Sequence, residues 1–252
     1  MDHLNNQVFV ITGGASGIGW ETTALLLQQG ACVGFCDVNE DGLQGVWNKL
    51  TDDQRSRAIW DIVDVTKRND VRAFLRKTKE KFGKIDGVAN VAGTAGKNLG
   101  HDRVWEWDDA EYDKLMDINC RGVFHVLAES MTPGVLEEPA SFVHVSSMYG
   151  KRGFPKGSIY SASKHAGIGI VKSAALEVAK RGIRVNVVLP GPIDTPMLRG
   201  NQEHGGDGTA PDTPLGRLGL PQEVAEALSF LLSSRSSYIT GASLAVDGGA
   251  NL

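Results

Sequence analysis

Several common sequence signals are missing from this chain of 252 residues. The net charge is −4 and no block of lysine or arginine occurs. Because phosphate contacts need clustered cations, no nucleic-acid partner is expected. No apolar run is long enough to cross a membrane, and the N-terminus lacks the basic start and apolar stretch of a secretory signal. No membrane partner is therefore expected.

Cysteine and histidine are few and scattered. Cys32, Cys36 and Cys120 are odd in number and lack zinc-type spacing. They are interpreted as reduced thiols, which favours a cytoplasmic location. The six histidines form no HxxxH or HxH pair, so no metal site is predicted.

Short apolar runs alternate with amphipathic stretches along the chain. The runs predict strands at 8–11, 32–36, 58–63, 85–89, 141–145, 183–189 and 243–246. The stretches predict helices at 20–29, 71–82, 158–180 and 223–232, and a capping box at 108–111 opens another. Continuous apolar strands are typical of parallel sheets covered on both faces. The sequence therefore predicts an α/β fold, a Rossmann-like doubly wound parallel sheet of about seven strands in one domain over 1–252, with ligands at the strands' carboxyl ends.

A glycine-rich turn follows the first strand. Its sequence at 12–19, TGGASGIG, has the spacing GxxxGxG and leads into a helix. Glycines let a backbone approach a pyrophosphate, and a helix N-terminus offers free N–H groups. The turn is interpreted as a phosphate cradle; the alternative is a turn without a ligand.

Asp37 ends the second strand, about 20 residues after the glycines, where a carboxylate accepts hydrogen bonds from the ribose hydroxyls of NAD. It would repel the 2′-phosphate of NADP. The first lysine or arginine of the chain is Lys49, so no cation near the turn is placed to pair with that phosphate. NAD is the predicted cofactor; the alternative is that Asp37 merely forms a turn.

Tyr160 and Lys164 lie four residues apart and therefore share one helical face. A tyrosine titrates near ~10, so a base useful at neutral pH needs its pKa lowered by roughly three units. A neighbouring ammonium and a cationic nicotinamide both stabilise the phenolate. The spacing indicates an acid/base pair, although a solvated helix face would give the same pattern.

Taken together, these motifs resemble the short-chain dehydrogenase/reductase family, in its single-domain branch of roughly 250 residues, along essentially the whole chain. Val91 departs from the family pattern NNAG at a structural position. The matching segments are 12–19, Asn90–Gly93, Asn119, 146–150, Tyr160 with Lys164, 190–195, 239–241 and 246–249.

The resemblance implies four catalytic residues. Tyr160 exchanges the proton with the substrate oxygen, and Ser147, rather than Ser146, hydrogen-bonds that oxygen. Lys164 lowers the pKa of Tyr160 and binds the nicotinamide ribose, while Asn119 holds a water of a proton relay.

The resemblance also implies a set of cofactor contacts. Asp64 and the Val65 amide would contact adenine, Asn90 would steady the central strand, and Ile193 and Thr195 would bind the carboxamide. The full set is Gly13, Ser16, Gly17, Ile18, Gly19, Asp37, Asp64, Val65, Asn90, Ala92, Gly93, Tyr160, Lys164, Pro190, Gly191, Ile193 and Thr195.

The expected function is NAD-dependent hydride transfer between nicotinamide and a small-molecule secondary alcohol or ketone. Two alternatives stay open: an NADP-dependent biosynthetic ketoreductase, and a regulator that binds NAD(H) without turnover. Segments 94–107, 148–154 and 196–214 are expected to wall the substrate, the last as a mobile lid. The long helix after Tyr160 is apolar around most of its circumference, which predicts a homotetramer or homodimer.

Overall fold

A computed structural model describes residues 4–203 and 213–252, with the side chains of 202 and 203 left out. Its centre is one sheet of seven parallel strands in the order β3-β2-β1-β4-β5-β6-β7. The strands are β1 Val8–Thr12, β2 Cys32–Asp37, β3 Ala58–Ile62, β4 Gly87–Asn90, β5 Ser141–Val145, β6 Arg184–Pro190 and β7 Ser243–Val246. The predicted doubly wound sheet is confirmed.

Helices cover both faces of the sheet. They are α1 Gly17–Gln28, α2 Glu40–Trp47, α3 Asp52–Ser56, α4 Arg68–Phe82, α5 Asp109–Met116, α6 Gly122–Met131, α7 Ser158–Val178, α8 Pro196–Glu203 and α9 Pro221–Leu232. A π-helical turn, Asp117–Arg121, joins α5 to α6. Among the described residues, none of these helices has the length and apolar character that crossing a bilayer requires.

Side chains alternate along the strands between two hydrophobic cores. Phe142 of β5 packs in the core under α4, α6 and α7, whereas its neighbour Val143 packs in the core under α1, α2 and α9. Because both faces are buried, the strands read as continuous apolar runs. The strand order reverses between β1 and β4, which opens a crevice at their carboxyl ends.

Some element boundaries differ from the prediction. The prediction begins the first helix at Trp20, because glycine has a low helix propensity. In the structure α1 begins three residues earlier, at Gly17. The long helix ends at Val178, and a 3₁₀ turn continues to Arg181 before Gly182 closes it with φ 74°. The prediction missed four helices, α2, α3, α6 and α8. Of these, α2 contains two glycines and α3 has five residues.

The capping box predicted at 108–111 forms only in part. The Asp108 carboxylate accepts a hydrogen bond from the Glu111 amide at 2.7 Å, as a helix cap does. The Glu111 carboxylate, however, does not return to Asp108. It is buried and accepts a hydrogen bond from the Lys97 amide at 2.6 Å, so it ties α5 to the loop after β4 instead.

Candidate active site

A cavity of about 780 Å³ lies at the carboxyl ends of the strands, where the strand order reverses. Of the predicted site residues, Asn90 and Asn119 lie behind its wall, and every other one lines it. The lining members are Gly13, Ser16, Gly17, Ile18, Gly19, Asp37, Asp64, Val65, Ala92, Gly93, Ser147, Tyr160, Lys164, Pro190, Gly191, Ile193 and Thr195.

The glycine-rich turn presents bare backbone to this cavity. Gly13 has φ 72°, and a Cβ there would lie 2.8 Å from the Ala92 nitrogen. A Cβ on Gly19 would overlap the Gly13 carbonyl oxygen. The first backbone bond of α1 runs from Trp20 to Ser16 at 3.1 Å, so the preceding amides have no partner within the helix. The Ser16 side chain does not cap them. This donor set fits the pyrophosphate of a dinucleotide.

Asp37 holds the turn in place from the end of β2. One carboxylate oxygen accepts a hydrogen bond from the Ala15 amide at 3.2 Å, and the other accepts one from the Asn39 amide at 3.1 Å. Each oxygen keeps further acceptor capacity on the cavity side. The carboxylate can therefore shape the loop and accept from ribose hydroxyls at the same time.

Asp64 and Val65 form the neighbouring part of the wall. Asp64 Oδ1 accepts hydrogen bonds from the Thr66 amide at 3.0 Å and the Thr66 hydroxyl at 2.7 Å. Burial raises the pKa of Asp64, but these bonds and Lys67 outweigh it and the pKa lies below its usual value. The Val65 carbonyl lies 3.0 Å from Nδ1 of His125 on α6, which fixes this strand end.

A buried polar chain braces the central strands behind the cavity. Thr12 Oγ1 accepts from the amides of Val91 and Ala92, each at 3.1 Å, and donates to Asn90 Oδ1 at 2.8 Å. Asn90 Nδ2 lies 3.3 Å from Nδ1 of His144. The chain joins β1, β4 and β5. Asn90 thus occupies a bracing position, as the resemblance implied, and does not face the cavity.

Tyr160, Ser147 and Lys164 converge at one end of the cavity. All three side chains are buried, and Lys164 Nζ lies 5.6 Å from the centroid of the Tyr160 ring. Burial raises the pKa of Tyr160 to about 12, although a hydrogen bond with the Ser147 side chain lowers it in part. Burial lowers the pKa of Lys164 to about 8. The tyrosine is therefore an acid in this environment, and its use as a base requires a further positive charge nearby.

The two adjacent serines have different surroundings. Ser146 Oγ donates to the Lys164 carbonyl at 3.0 Å, so its hydroxyl is committed to the backbone of α7. Ser147 Oγ accepts from the Tyr149 amide at 3.2 Å and keeps its proton for a partner in the cavity. Ser147 is thus the serine beside Tyr160.

Asn119 lies in the π-helical turn and is 1% exposed. Its amide nitrogen donates to the Thr94 carbonyl at 2.8 Å and to Ser163 Oγ at 3.1 Å, and its Oδ1 accepts from the Thr94 amide at 2.8 Å. One acceptor site on Oδ1 remains. A Cβ on Gly93 would lie 3.2 Å from Oδ1 and 3.3 Å from Lys164 Nζ, so both atoms border the same small space.

The segment after β6 closes the cavity from the other side. A Cβ on Gly191 would lie 2.7 Å from the Cα of Asp247, so the chain can pass the segment after β7 only with glycine here. Thr195 Oγ1 accepts from the Leu198 amide at 3.3 Å and begins α8. Ile193 is buried and bridges to Gly219.

The three expected substrate walls are present only in part. The first contributes small and apolar side chains at its start, whereas Trp105 is 74% exposed and Trp107 donates to the Asp102 carbonyl at 2.8 Å outside the cavity. Of the expected lid over 196–214, residues 204–212 lie outside the described part. The lining residues from the three walls are Thr94, Ala95, Leu99, Met148, Tyr149, Phe154, Pro196, Met197, Leu198 and Asn201.

Sequence reasoning missed several residues of the site. Thr12 and His144 brace the strands, and no motif marks them because their roles depend on neighbours in other strands. Lys114 and Ile118 line the cavity from the end of α5 and the π-helical turn. Their positions depend on the π-helical turn, which no sequence pattern predicts.

Comparison with known proteins agrees with this geometry. A family profile described as enoyl-(acyl carrier protein) reductase matches residues 13–251. A short-chain dehydrogenase/reductase of Botryotinia fuckeliana, aba4, is 39% identical over 98% of this chain and 97% of its own.

Two solved structures are also similar. Levodione reductase aligns with a TM-score of 0.90 at 31% identity, covering 98% of each chain. A 3-ketoacyl-(acyl-carrier-protein) reductase from Brucella melitensis, complexed with NADH, aligns with a TM-score of 0.87 at 30% identity, covering 99% of this chain and 100% of that one. The fold and site define a dinucleotide-binding oxidoreductase, and the chain belongs to the short-chain dehydrogenase/reductase family.

Proposed function

We propose that this oxidoreductase uses NAD to interconvert a secondary alcohol and its ketone, with Tyr160 as the general acid/base. The observation that carries the proposal is the convergence of Tyr160, Ser147 and Lys164 at one end of a cavity whose other end carries the glycine-rich turn and Asp37. A ligand able to reach both ends must be long and must carry phosphate at its middle, as NAD does. The intact set argues against the alternative of a non-catalytic regulator.

Each residue of the set has a defined task in alcohol oxidation. Ser147 donates a hydrogen bond to the substrate oxygen and holds it beside Tyr160. Tyr160 accepts the hydroxyl proton as the carbonyl forms, and in the reverse direction it returns that proton. Lys164 stabilises the phenolate and has its ammonium within reach of a ribose. When bound, NAD would supply the hydride acceptor and, in its oxidised form, a positive charge near the phenol.

The choice of NAD rests on the charges around the adenosine end. Asp37 and Asp64 line that part of the cavity, and the lining residues within 4–203 and 213–252 include two cations, Lys114 and Lys164. Asp37 would repel a 2′-phosphate, whereas it can accept hydrogen bonds from both hydroxyls of an unmodified ribose.

A biosynthetic ketoreductase is the second candidate function. The similarity to a 3-ketoacyl-(acyl-carrier-protein) reductase supports it, and that structure holds NADH. In this case the ketone would be part of an acyl thioester. The apolar walls formed by Leu99, Met148 and Phe154 suit a ring or a short acyl chain equally well.

A substrate panel tests the proposal. Cyclic and acyclic secondary alcohols are supplied with NAD⁺ or NADP⁺, and formation of the reduced cofactor is followed by its absorbance. We expect turnover with NAD⁺ and a decrease of about 10²–10⁴-fold on Tyr160→Phe, the usual size of acid–base catalysis. Cofactor binding, measured by fluorescence, should survive this change. A variant that keeps most of the wild-type rate would refute the assignment.

The assembly and location are also proposals. Leu176 on α7 is 85% exposed and Phe124 on α6 is 45% exposed, and an apolar contact between copies would cover them. We propose a homodimer or homotetramer, which light scattering at micromolar concentration tests. The free thiols Cys32, Cys36 and Cys120 support the cytoplasm as the compartment.

A further inference from the structure

Tyr149 is a second phenol beside the proposed acid/base. It follows Ser147 by two residues in a short 3₁₀ turn, Met148–Gly150, and its amide donates a hydrogen bond to Ser147 Oγ at 3.2 Å. Its side chain is half-buried, and the residue lines the same cavity as Ser147 and Tyr160. The proposed reaction gives this phenol no task.

The ring of Tyr149 is held in place by two neighbours. It stacks on Phe154, with the ring centroids 4.4 Å apart and the planes inclined by 29°. The guanidinium carbon of Arg152 lies 5.5 Å from the centroid of the Tyr149 ring. Such ring contacts favour one side-chain orientation. The position of the Tyr149 hydroxyl is therefore set before a substrate binds, as a residue that selects substrates requires.

The Tyr149 hydroxyl lies near that of Tyr160. Burial is the largest cause that raises the pKa of Tyr160 to about 12; a hydrogen bond with Ser147 lowers the pKa, and the charge of an ionised Tyr149 raises it further. Burial also raises the pKa of Tyr149, and Arg152 opposes this rise by its charge and by a hydrogen bond with the phenol. Because a guanidinium only donates, the Tyr149 oxygen is the acceptor in that bond and its proton stays available for a second partner.

The cavity wall around Tyr149 is otherwise apolar, with Leu99, Met148 and Phe154 among its lining residues. A hydroxyl in such a wall loses its contact with water when a substrate covers it. This loss costs free energy unless the substrate supplies a hydrogen-bond acceptor. A site built in this way discriminates against analogues that lack the acceptor.

We propose that the Tyr149 hydroxyl donates a hydrogen bond to a second oxygen of the substrate, so that the substrate is a ketone or alcohol with a further carbonyl, hydroxyl or ether oxygen on its carbon frame. This inference rests on the proposed function. The second oxygen takes no part in the transfer of hydride or proton and is unchanged by the reaction. It orients the carbon frame between the apolar walls.

Matched ketones test the proposal without turnover. The three positional isomers of methoxycyclohexanone are compared with the corresponding ethylcyclohexanones, in which a methylene group replaces the ether oxygen at nearly the same volume. Dissociation constants are measured by calorimetry on the full-length enzyme saturated with NAD⁺, which cannot take a hydride from a ketone. The quantity compared is the dissociation constant of the ethyl ketone divided by that of the methoxy ketone.

Tyr149→Phe removes the hydroxyl and keeps the ring that stacks on Phe154. For at least one of the three positions it should lower this ratio by about 3–10-fold, the range for a hydrogen bond between neutral groups. Comparing the ratio between enzymes cancels the difference in hydrophobicity between the two ketones. Tyr238→Phe is the matched control, because Tyr238 is fully exposed and does not line the cavity, and it should leave the ratio unchanged. An unchanged ratio in Tyr149→Phe at all three positions would overturn the proposal, as would equal changes in the two variants.

Kinetics separate this inference from the proposed function. With NADH, the KM of the ethyl ketone divided by that of the methoxy ketone should fall in Tyr149→Phe, while the corresponding ratio of kcat values changes little. Turnover of these ketones with a KM ratio that does not depend on Tyr149 would leave the proposed function standing and refute the role of Tyr149. A binding ratio that depends on Tyr149, without turnover of any ketone or alcohol, would refute the proposed function alone.

Discussion

The ionisation of Tyr160 is a quantitative test of the mechanism. Burial raises its pKa to about 12, so its use as a base near pH 8 requires a stabilisation of the phenolate by about 5 kcal/mol. Lys164 Nζ lies 5.6 Å from the phenol ring. At an effective dielectric constant of about 20, an ammonium at that distance supplies about 3 kcal/mol, which is about two pKa units. The remainder must come from the cationic nicotinamide.

The pKa values of Lys164 and Tyr160 lead us to expect a neutral phenol in the cofactor-free protein. Burial lowers the pKa of Lys164 to about 8, so the ammonium is present below that pH and is lost above it, before Tyr160 begins to titrate. The Lys164 ammonium can therefore stabilise the Tyr160 phenolate only when a bound cofactor lowers the pKa of the tyrosine into the pH range in which the lysine is still charged.

Replacing Lys164 with Met should raise the midpoint of the pH profile for alcohol oxidation by about two units. The profile is measured as kcat/KM for the alcohol at saturating NAD⁺, and near-ultraviolet difference absorbance of tyrosinate gives the titration directly. Lys172→Met, an exposed lysine on the same helix, is the control and should leave the midpoint in place. An unchanged midpoint in Lys164→Met would refute this electrostatic role, because it would show that the Lys164 ammonium does not stabilise the Tyr160 phenolate.

Two further predictions concern the cofactor and the core. In the double variant Asp37→Ser with Val38→Arg, an exposed position receives a cation that can pair with a 2′-phosphate. The ratio of kcat/KM for NAD⁺ to kcat/KM for NADP⁺ should fall by at least about tenfold, which is about 1.4 kcal/mol. An unchanged ratio would exclude Asp37 as the determinant of cofactor choice. Burial lowers the pKa of His144 from 6.5 to about 3, so the unfolded chain takes up a proton first as the pH falls. The free energy of unfolding should therefore fall below pH 6.5 by about 1.4 kcal/mol per unit, and urea titrations of His144→Asn should lack this part of the decline.

The fold could be predicted because its strands are buried on both faces. Runs such as residues 8–11 are apolar at every position, and that pattern indicates a covered parallel sheet. The site followed from the same rule, since ligands bind at the carboxyl ends of such strands and the motif residues come directly after them. Helix boundaries were less accurate because tertiary packing, rather than intrinsic propensity, extends α1 into glycine and stops α7 at Val178.

Other features of the site depend on contacts that no local pattern encodes. Glu111 lies where a capping box would use its side chain, yet its carboxylate accepts a hydrogen bond from the Lys97 amide instead. Similarly, His144 lies in a strand as an ordinary core position, but its Nδ1 meets Asn90 from the neighbouring strand. Both cases arise because a polar group is satisfied by whichever buried partner the fold brings closest.

The two ends of the cavity are held by different kinds of structure, and this difference bears on function. At the end proposed for adenosine, hydrogen bonds from the Ala15 and Gly14 amides fix Asp37 and the glycine-rich turn, so the groups proposed to bind the cofactor are arranged before it arrives. At the other end, Asn119 joins α7, through Ser163, to the loop at Thr94. Because Tyr160 and Lys164 both lie on α7, this tie positions the two side chains together relative to Ser147 and the cavity.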